Sequence, residues 1–310
     1  MIAFIDDHRD RFGVEPICRV LSEHGCKIAP NTYWTAKKRP PSKRALRDAE
    51  LVVEIQRVYN AHMSVYGARK IWAQLNEEGI VVARCTVERL MAQMGLVGNR
   101  RGNTWTVTTD SDHPFERPAD LVDRDFAAPA PNRLWVADIT YVKTHSGWVY
   151  VAFVIDVYSR MVVGWQASKS LRSDLAIDAL EMAIWQRQRT GADLSELVHH
   201  SDRGVQYLSI VYADRLAAND IVASVGSKGD SYDNALAESF NGLYKWELIH
   251  RRGPWRGLDD VEFATMTYVD WFNHRRLHGE IIDGPGYTTP ARHEAAYYLQ
   301  TTPAPEPITQ

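Results

Sequence analysis

No stretch of this 310-residue chain comes near the ~20 consecutive apolar residues that cross a bilayer, because the longest candidate, Val149 to Val157, contains Asp156 and leads into Arg160. No membrane span is expected. The opening Met1-Ile2-Ala3-Phe4-Ile5-Asp6-Asp7 lacks the basic start and long apolar core of a secretory signal, which points to a cytoplasmic protein. Cysteine is scarce. Cys18, Cys26 and Cys85 are too few and too unevenly spaced for a disulfide framework or a four-ligand zinc site, and they read as buried thiols. A large excess of one charge is missing too, since the formal net charge is −3. Residues 1–109 nevertheless hold 17 Lys and Arg against 11 Asp and Glu, while the remainder holds 19 against 28. Only the first part is generically suited to nucleic acid.

What is present, 45% hydrophobic and 24% charged residues, suffices for a substantial core and roughly two domains. Pro16 to Glu23 and Tyr33 to Lys38 read as short helices of a small N-terminal unit, residues 1–44. Residues 37–47 combine six basic groups, Lys37, Lys38, Arg39, Lys43, Arg44 and Arg47, with Pro40 and Pro41 and no acid, which reads as an exposed basic linker. It suits a phosphate-contacting arm or a plain solvated tether. From Ala49 the apolar spacing turns helical through Leu51, Val52, Ile55 and Val58, then Ile71, Trp72 and Leu75. Gly79 breaks it, and Val87, Leu90, Met91 and Met94 restart it. Two helices about a short turn make residues 45–97 a helix-turn-helix candidate with Arg84, Glu88 and Arg89 on its second helix. Such pairs also occur as mere packing units. Residues 98–131, without sustained period, read as a linker.

Beyond it the pattern shortens to strands: Leu134 to Val142, Trp148 to Asp156 and Met161 to Ala167, three antiparallel strands. Ser173 to Arg189 is helical, Leu197 to His200 and Ile221 to Val225 are short strands, and Ile210 to Ala218, Asp233 to Ile249 and Leu258 to Arg275 are helices. The class is α/β with a mixed sheet spanning residues 132–295, followed by a proline-bearing tail over 296–310.

Three carboxylates stand out. Asp138 sits mid-strand among Trp135, Val136, Ile139 and Tyr141, where an unpaired charge costs several kcal/mol, so a cation should face it. Asp202 follows the strand ending His199-His200-Ser201, at the edge where loops of α/β sheets gather functional groups. On a helical wheel with Leu236, Phe240, Leu243 and Tyr244 as the buried stripe, Asn234, Glu238, Asn241 and Lys245 share the opposite face. Each acid taken alone is more often structural than catalytic.

Their joint arrangement, two aspartates, then 35 residues, then a glutamate with a basic residue seven positions on, resembles the DDE transposases and retroviral integrases. The words Asn132-Arg133-Leu134-Trp135-Val136-Ala137-Asp138, His200-Ser201-Asp202-Arg203-Gly204 and Ser231-Tyr232-Asp233-Asn234-Ala235-Leu236-Ala237-Glu238-Ser239-Phe240-Asn241-Gly242 are similar to the second-reading-frame transposases of a large bacterial insertion-sequence family. Trp271-Phe272-Asn273-His274-Arg275-Arg276-Leu277-His278 and Thr289-Pro290-Ala291 extend the likeness over residues 45–295; Val205 departs from it, standing where a small polar residue is commoner. The resemblance implies a ribonuclease-H-like catalytic core behind an N-terminal helix-turn-helix domain, and metal-dependent cleavage and strand transfer at element ends through a circular intermediate. It implies two Mg²⁺ ions, replaceable by Mn²⁺, held by Asp138, Asp202 and Glu238. Lys245 would touch DNA near the scissile bond, with Arg84, Arg89, Lys37, Lys38, Arg39, Lys43, Arg44 and Arg275 as further DNA contacts. Carboxylates are the ligands that suit so hard a cation, and paired cations supply both halves of a phosphodiester displacement.

The partners implied are double-stranded DNA, further copies of the chain on that DNA, and an upstream-frame product, because no sustained leucine heptad is present here. Two other readings stay open: a nuclease of the same fold that does not join strands, and a non-catalytic DNA-binding product. Asp156 reads as a turn cap or a partner of Arg160. His199 and His200, adjacent in a strand, point to opposite faces and do not make one metal site. Asn273, Arg275 and His278 are expected to pack near the site or meet DNA.

Overall fold

The computed structural model describes residues 1–99, 128–201, 207, 209–225, 235–279 and 286–301. The chain forms two units, Met1–Gln56 and Arg57–Gln310.

In the first unit lie α1 (Ile2–Phe12), α2 (Val14–Glu23), α3 (Pro30–Lys38) and the start of α4 (Lys43–Ala61). Ile5, Ile17, Cys18, Ile28 and Tyr33 make its core, and the Tyr33 hydroxyl donates to Asp6 Oδ1 at 2.7 Å. The stretch expected as one basic linker is mostly helical. Lys37 and Lys38 end α3, and Lys43, Arg44 and Arg47 open α4. Ser42 is the cause: its Oγ accepts the Ala45 N–H at 3.1 Å and starts α4 directly after Pro40-Pro41. Cys18 is buried as expected, but Cys26 and Cys85 are exposed.

The second unit continues from the end of α4 into α5 (Ala68–Glu77) and α6 (Arg84–Gln93), the expected helix pair. Ile71, Leu75, Val87, Leu90 and Met91 supply its buried stripe. Among the described residues the sheet has five strands, in the order β3-β2-β1-β4-β5. Its strands are β1 (Leu134–Thr144), β2 (Gly147–Asp156), β3 (Val162–Ser168), β4 (Val198–Ser201) and β5 (Val222–Val225). β1, β2 and β3 pair antiparallel, while β4 and β5 run parallel to β1, the mixed sheet expected. Gly147, with φ +111°, allows the tight β1–β2 turn.

One sheet face packs on α7 (Ser173–Arg189) and α8 (Ile210–Ala217), burying Trp135, Ala137, Ala152 and Val154 against Ala176, Leu180, Ala183 and Tyr212. Gly164 permits β3 to touch α7 directly, since a Cβ there would strike the Ala179 carbonyl oxygen and come within 2.8 Å of Ala183 N. The other face meets α9 (Ala235–Tyr244) and α11 (Leu258–His274). Where one continuous helix was expected, α9 passes into a π-helical turn at Lys245–Ile249 and then α10 (His250–Arg252). There Glu247 is buried in an ion pair with Arg276 at 2.6 Å and accepts the Tyr268 hydroxyl at 3.0 Å.

The tail reading fails for residues 296–301, which belong to α12 (Pro290–Thr301). A buried two-point pair between Arg187 and Glu294 and the stacking of Tyr158 on His293 at 4.8 Å hold that helix. Residues 302–310, the rest of that expectation, lie outside the described residues. So does the linker reading over 100–127.

Candidate active site

Strand alternation sends Trp135 and Ala137 to the α7 side and leaves Asp138 on the opposite face, across from Phe153 of β2. The Phe153 ring meets Phe240 at 4.8 Å and Tyr244 at 5.1 Å, edge to face in both cases, which pins α9 over the face carrying Asp138. Asn241 follows Phe240 in sequence. Its Nδ2 donates to Asp138 Oδ2 at 2.8 Å, while Asp138 Oδ1 accepts the Ile139 backbone N–H at 2.8 Å. One turn on, Lys245 Nζ stands 4.4 Å from the Tyr141 ring centroid. Burial pulls its ammonium below the ordinary lysine value, and the charge of Asp138 resists that pull. The cation expected to face Asp138 is therefore Lys245, and a direct hydrogen bond comes from Asn241.

Glu238 is exposed on α9. At ~100° per residue, positions 238, 241 and 245 lie on one side of the helix. The buried stripe differs from the wheel expected. Ala237, Phe240, Asn241 and Tyr244 are buried, whereas Leu236 and Leu243 are only half-buried. Aromatic packing on Phe153, and of Phe240 on Phe272 at 4.9 Å, rotates the helix toward Asn241. A buried amide is tolerated there because its N–H is bound to a carboxylate. The sequence places Asn241 on the face of Glu238 and Lys245 without giving it a role; its contact with Asp138, 103 residues earlier, makes it a site residue. Its Oδ1 is buried and has no hydrogen-bond partner among the described residues.

The parallel ladder between β1 and β4 runs from Leu134–Val198 to Ala137–Ser201, and Asp138 and Asp202 are the next residues along the chain. Asp202 and Asn234 lie outside the described residues. Among the described residues no group of three or more His, Cys, Asp and Glu side chains is arranged to hold a metal ion. His199 and His200 diverge as strand alternation requires. His199 Nε2 is 3.0 Å from the Tyr212 hydroxyl on the α8 side, and His200 Nδ1 is 2.9 Å from Ser224 Oγ on β5. Asp156 is fully buried and caps its turn, accepting the Ser159 N–H at 2.8 Å and the Asn132 N–H at 2.7 Å.

The remaining candidates are dispersed. Arg84 is exposed on α6 and paired with Glu88 at 3.2 Å, and Arg89 donates to Gln93 at 3.4 Å. Lys37 pairs with Asp6 at 3.0 Å and Arg44 with Asp48 at 3.8 Å; Lys38, Arg39 and Lys43 are exposed in the same unit. Arg275 is exposed and paired with Asp270 at 2.8 Å. Asn273 is structural, clamping the backbone of Val162 in β3 with both amide groups at 2.9 Å, and His278 is buried against Arg276 at 3.0 Å.

Family models match the chain in three places: an integrase core domain over residues 128–231, a second integrase core domain over residues 219–290, and an HTH-like domain over residues 45–103. The transposase for insertion sequence element IS986/IS6110 of Mycobacterium tuberculosis is 55% identical over 274 residues, covering 88% of this chain and 97% of that protein. The transposase for insertion sequence element IS629 of Shigella sonnei is 48% identical over 303 residues, covering 96% and 97%. Among solved structures, the HTLV-2 integrase catalytic core in complex with magnesium aligns with 20% identity and a TM-score of 0.38, over 48% of this chain and 92% of that one.

Proposed function

The chain belongs to the insertion-sequence transposases that carry an integrase core and an HTH-like domain, and from that premise we propose that Asp138, Asp202 and Glu238 are its catalytic carboxylates. As a member of this family it is a DDE-type polynucleotidyl transferase of DNA transposition, with a ribonuclease-H-like fold. Asp138 carries the proposal: a half-buried carboxylate in the central strand, held by Asn241 and faced by Lys245.

The donor set fits a hard divalent cation. Asp138 offers carboxylate oxygen, and the buried Oδ1 of Asn241, unpartnered among the described residues, adds an amide oxygen beside it. Asp138, Asp202 and Glu238 would hold two Mg²⁺ ions, or Mn²⁺ in their place, and the cations would activate the attacking oxygen and stabilise the leaving one. The chain's own part is positional. Asn241 fixes the Asp138 carboxylate through one oxygen and the Ile139 N–H fixes the other. Lys245, braced on Tyr141, offers its ammonium to a phosphate next to the scissile bond. The DNA hydroxyl or water attacks directly, so no side-chain nucleophile and no covalent protein–DNA intermediate are needed.

Arg84 and Arg89 on α6, and Lys37, Lys38, Arg39, Lys43 and Arg44 in the N-terminal unit, serve as phosphate contacts, and so does Arg275 once DNA competes with Asp270. The active form is an oligomer on DNA in the bacterial cytoplasm, associated with the nucleoid and assisted by an upstream-frame product. No helix among the described residues is long and apolar enough to cross a membrane. The test supplies labelled element ends with a free 3′-hydroxyl, a target plasmid and Mg²⁺, with and without the upstream-frame product. Joined products are expected, and Asp138→Asn should abolish them while leaving DNA binding intact. Cleavage without joining would overturn the transposase reading, and unchanged joining by Asp138→Asn would overturn the site.

A further inference from the structure

A cleft of about 600 Å³ is lined by the α5–α6 helix pair, by α9 and by residues 276–279 and 286–287. Among the described residues its lining has no carboxylate. Arg69 and Lys70 of α5 and Arg84 of α6 supply cationic groups, Trp72 and Tyr287 supply aromatic surface, and Leu243 of α9 closes one side. Also lining it are Arg276, already neutralised by Glu247, and His278, which burial first and Arg276 next keep well below the ordinary histidine value and so uncharged. Arg69 is exposed and makes no ion pair among the described residues, and the Arg84–Glu88 pair is half exposed on both sides and therefore weak. Among the described residues, the positive field of the cleft thus comes from Arg69, Lys70 and Arg84.

Trp72 Nε1 donates to the Val82 carbonyl at 2.9 Å, across the turn between α5 and α6. Tyr287 directly precedes Thr288, whose backbone bridges His278 through two hydrogen bonds of 2.7 and 2.9 Å. Aromatic surface beside several cationic groups is the arrangement that binds a nucleic-acid strand by stacking and phosphate neutralisation. Position also matters. Leu243 is two residues beyond Asn241, or ~200° around the helix, so the cleft and Asp138 flank α9 from opposite sides.

We propose that this cleft holds DNA beside the reaction centre, with Arg69, Lys70 and Arg84 on backbone phosphates and an unpaired base against Trp72 or Tyr287. The proposal rests on the transposase reading for the identity of the polyanion. It assigns the α5–α6 pair a role in gripping a strand flanking the scissile phosphate, on the far side of the helix that carries Glu238.

The test uses the full chain, in EDTA so that no chemistry occurs, with an element-end duplex whose flank is unpaired and carries 5-iodouracil. Binding is followed by fluorescence anisotropy across ~50 to ~200 mM salt. Arg69→Ala combined with Arg84→Ala should weaken binding tenfold or more and lower the salt slope by about 1.4, at roughly 0.7 for each single-strand phosphate no longer neutralised. Photocrosslinks should map to Trp72 or Tyr287. Tyr287→Leu should abolish its crosslink while keeping the salt slope. Unchanged affinity and slope in the double variant, or crosslinks that avoid both aromatics, overturns the proposal. A double variant that binds DNA normally but no longer self-associates also overturns it, in favour of a protein interface. Asp138→Asn lies outside the cleft and should bind and crosslink like the parent chain. A chain that crosslinks at the cleft but never joins strands would refute the transposase reading and leave the cleft assignment standing.

Discussion

Replacing Asn241 by alanine tests the geometry around Asp138 with little disturbance elsewhere. The Nδ2–Oδ2 contact of 2.8 Å is a hydrogen bond to a carboxylate made by a side chain that is only 8% exposed. Such bonds are worth ~1.5–3 kcal/mol, and the residues that orient metal ligands typically control ~10–100-fold of metal affinity or activity. Asn241→Ala should therefore reduce strand joining by about one to two orders of magnitude and raise the Mg²⁺ or Mn²⁺ concentration needed for half-maximal rate by a similar factor, with DNA binding in EDTA unchanged. The conservative change Asn241→Asp sets a second buried carboxylate against Asp138, where mutual repulsion raises the pKa of one of them. Its joining rate should recover as pH rises and as Mn²⁺ replaces Mg²⁺. Both readouts are rates of product formation on a labelled element end. An Asn241→Ala enzyme with parental rate and parental metal requirement would refute the view that Asn241 orients Asp138.

Further expectations concern the scaffold. Gly164→Ala pushes a methyl group into the backbone of α7 at Ala179 and Ala183 and should cost ~1–3 kcal/mol or more in denaturant unfolding; a neutral result would show that β3 and α7 can separate freely. Glu247→Ala strands the Arg276 guanidinium in the core, where the pair's side chains are 6% and 8% exposed, and should destabilise by ~3–5 kcal/mol in the same assay. Three histidines bear on acid stability. Burial lowers His62 to about 4 and His199 to about 3, and His278 is held well below its ordinary value. The unfolded chain takes up these protons near pH ~6.5 and the folded chain does not. Stability should thus be complete above that pH and fall as pH drops from ~7 to ~5, before most carboxylates titrate. A flat unfolding midpoint over that window would contradict the burial of these rings.

Much of the fold is legible in the sequence because its signals are local. α7 spans Ser173–Arg189 as its apolar spacing indicates, and the three antiparallel strands announce themselves by runs of branched and aromatic residues. What escapes depends on partners distant in the chain. α12 is held by Arg187, 107 residues before Glu294, so no local periodicity marks it, and the nearby prolines suggest a tail instead. The basic stretch at 37–47 reads as tether until Ser42 is recognised as the cap of α4. The stripe of α9 is misplaced by one position when its leucines are weighted above Asn241, whose burial is made tolerable only by Asp138, 103 residues earlier. Two of the three candidate carboxylates, Asp138 and Glu238, are placed in a strand and on the helix packed over it; the third is legible in sequence alone.

The most direct measurement is anomalous diffraction from crystals of the full chain grown with element-end DNA and Mn²⁺. Peaks for ions held by the carboxylates of Asp138, Asp202 and Glu238 are expected, weakened or lost in the corresponding Asn or Gln variants. A DNA-bound complex in which Mn²⁺ binds elsewhere, with these three side chains on separate surfaces, would contradict the account.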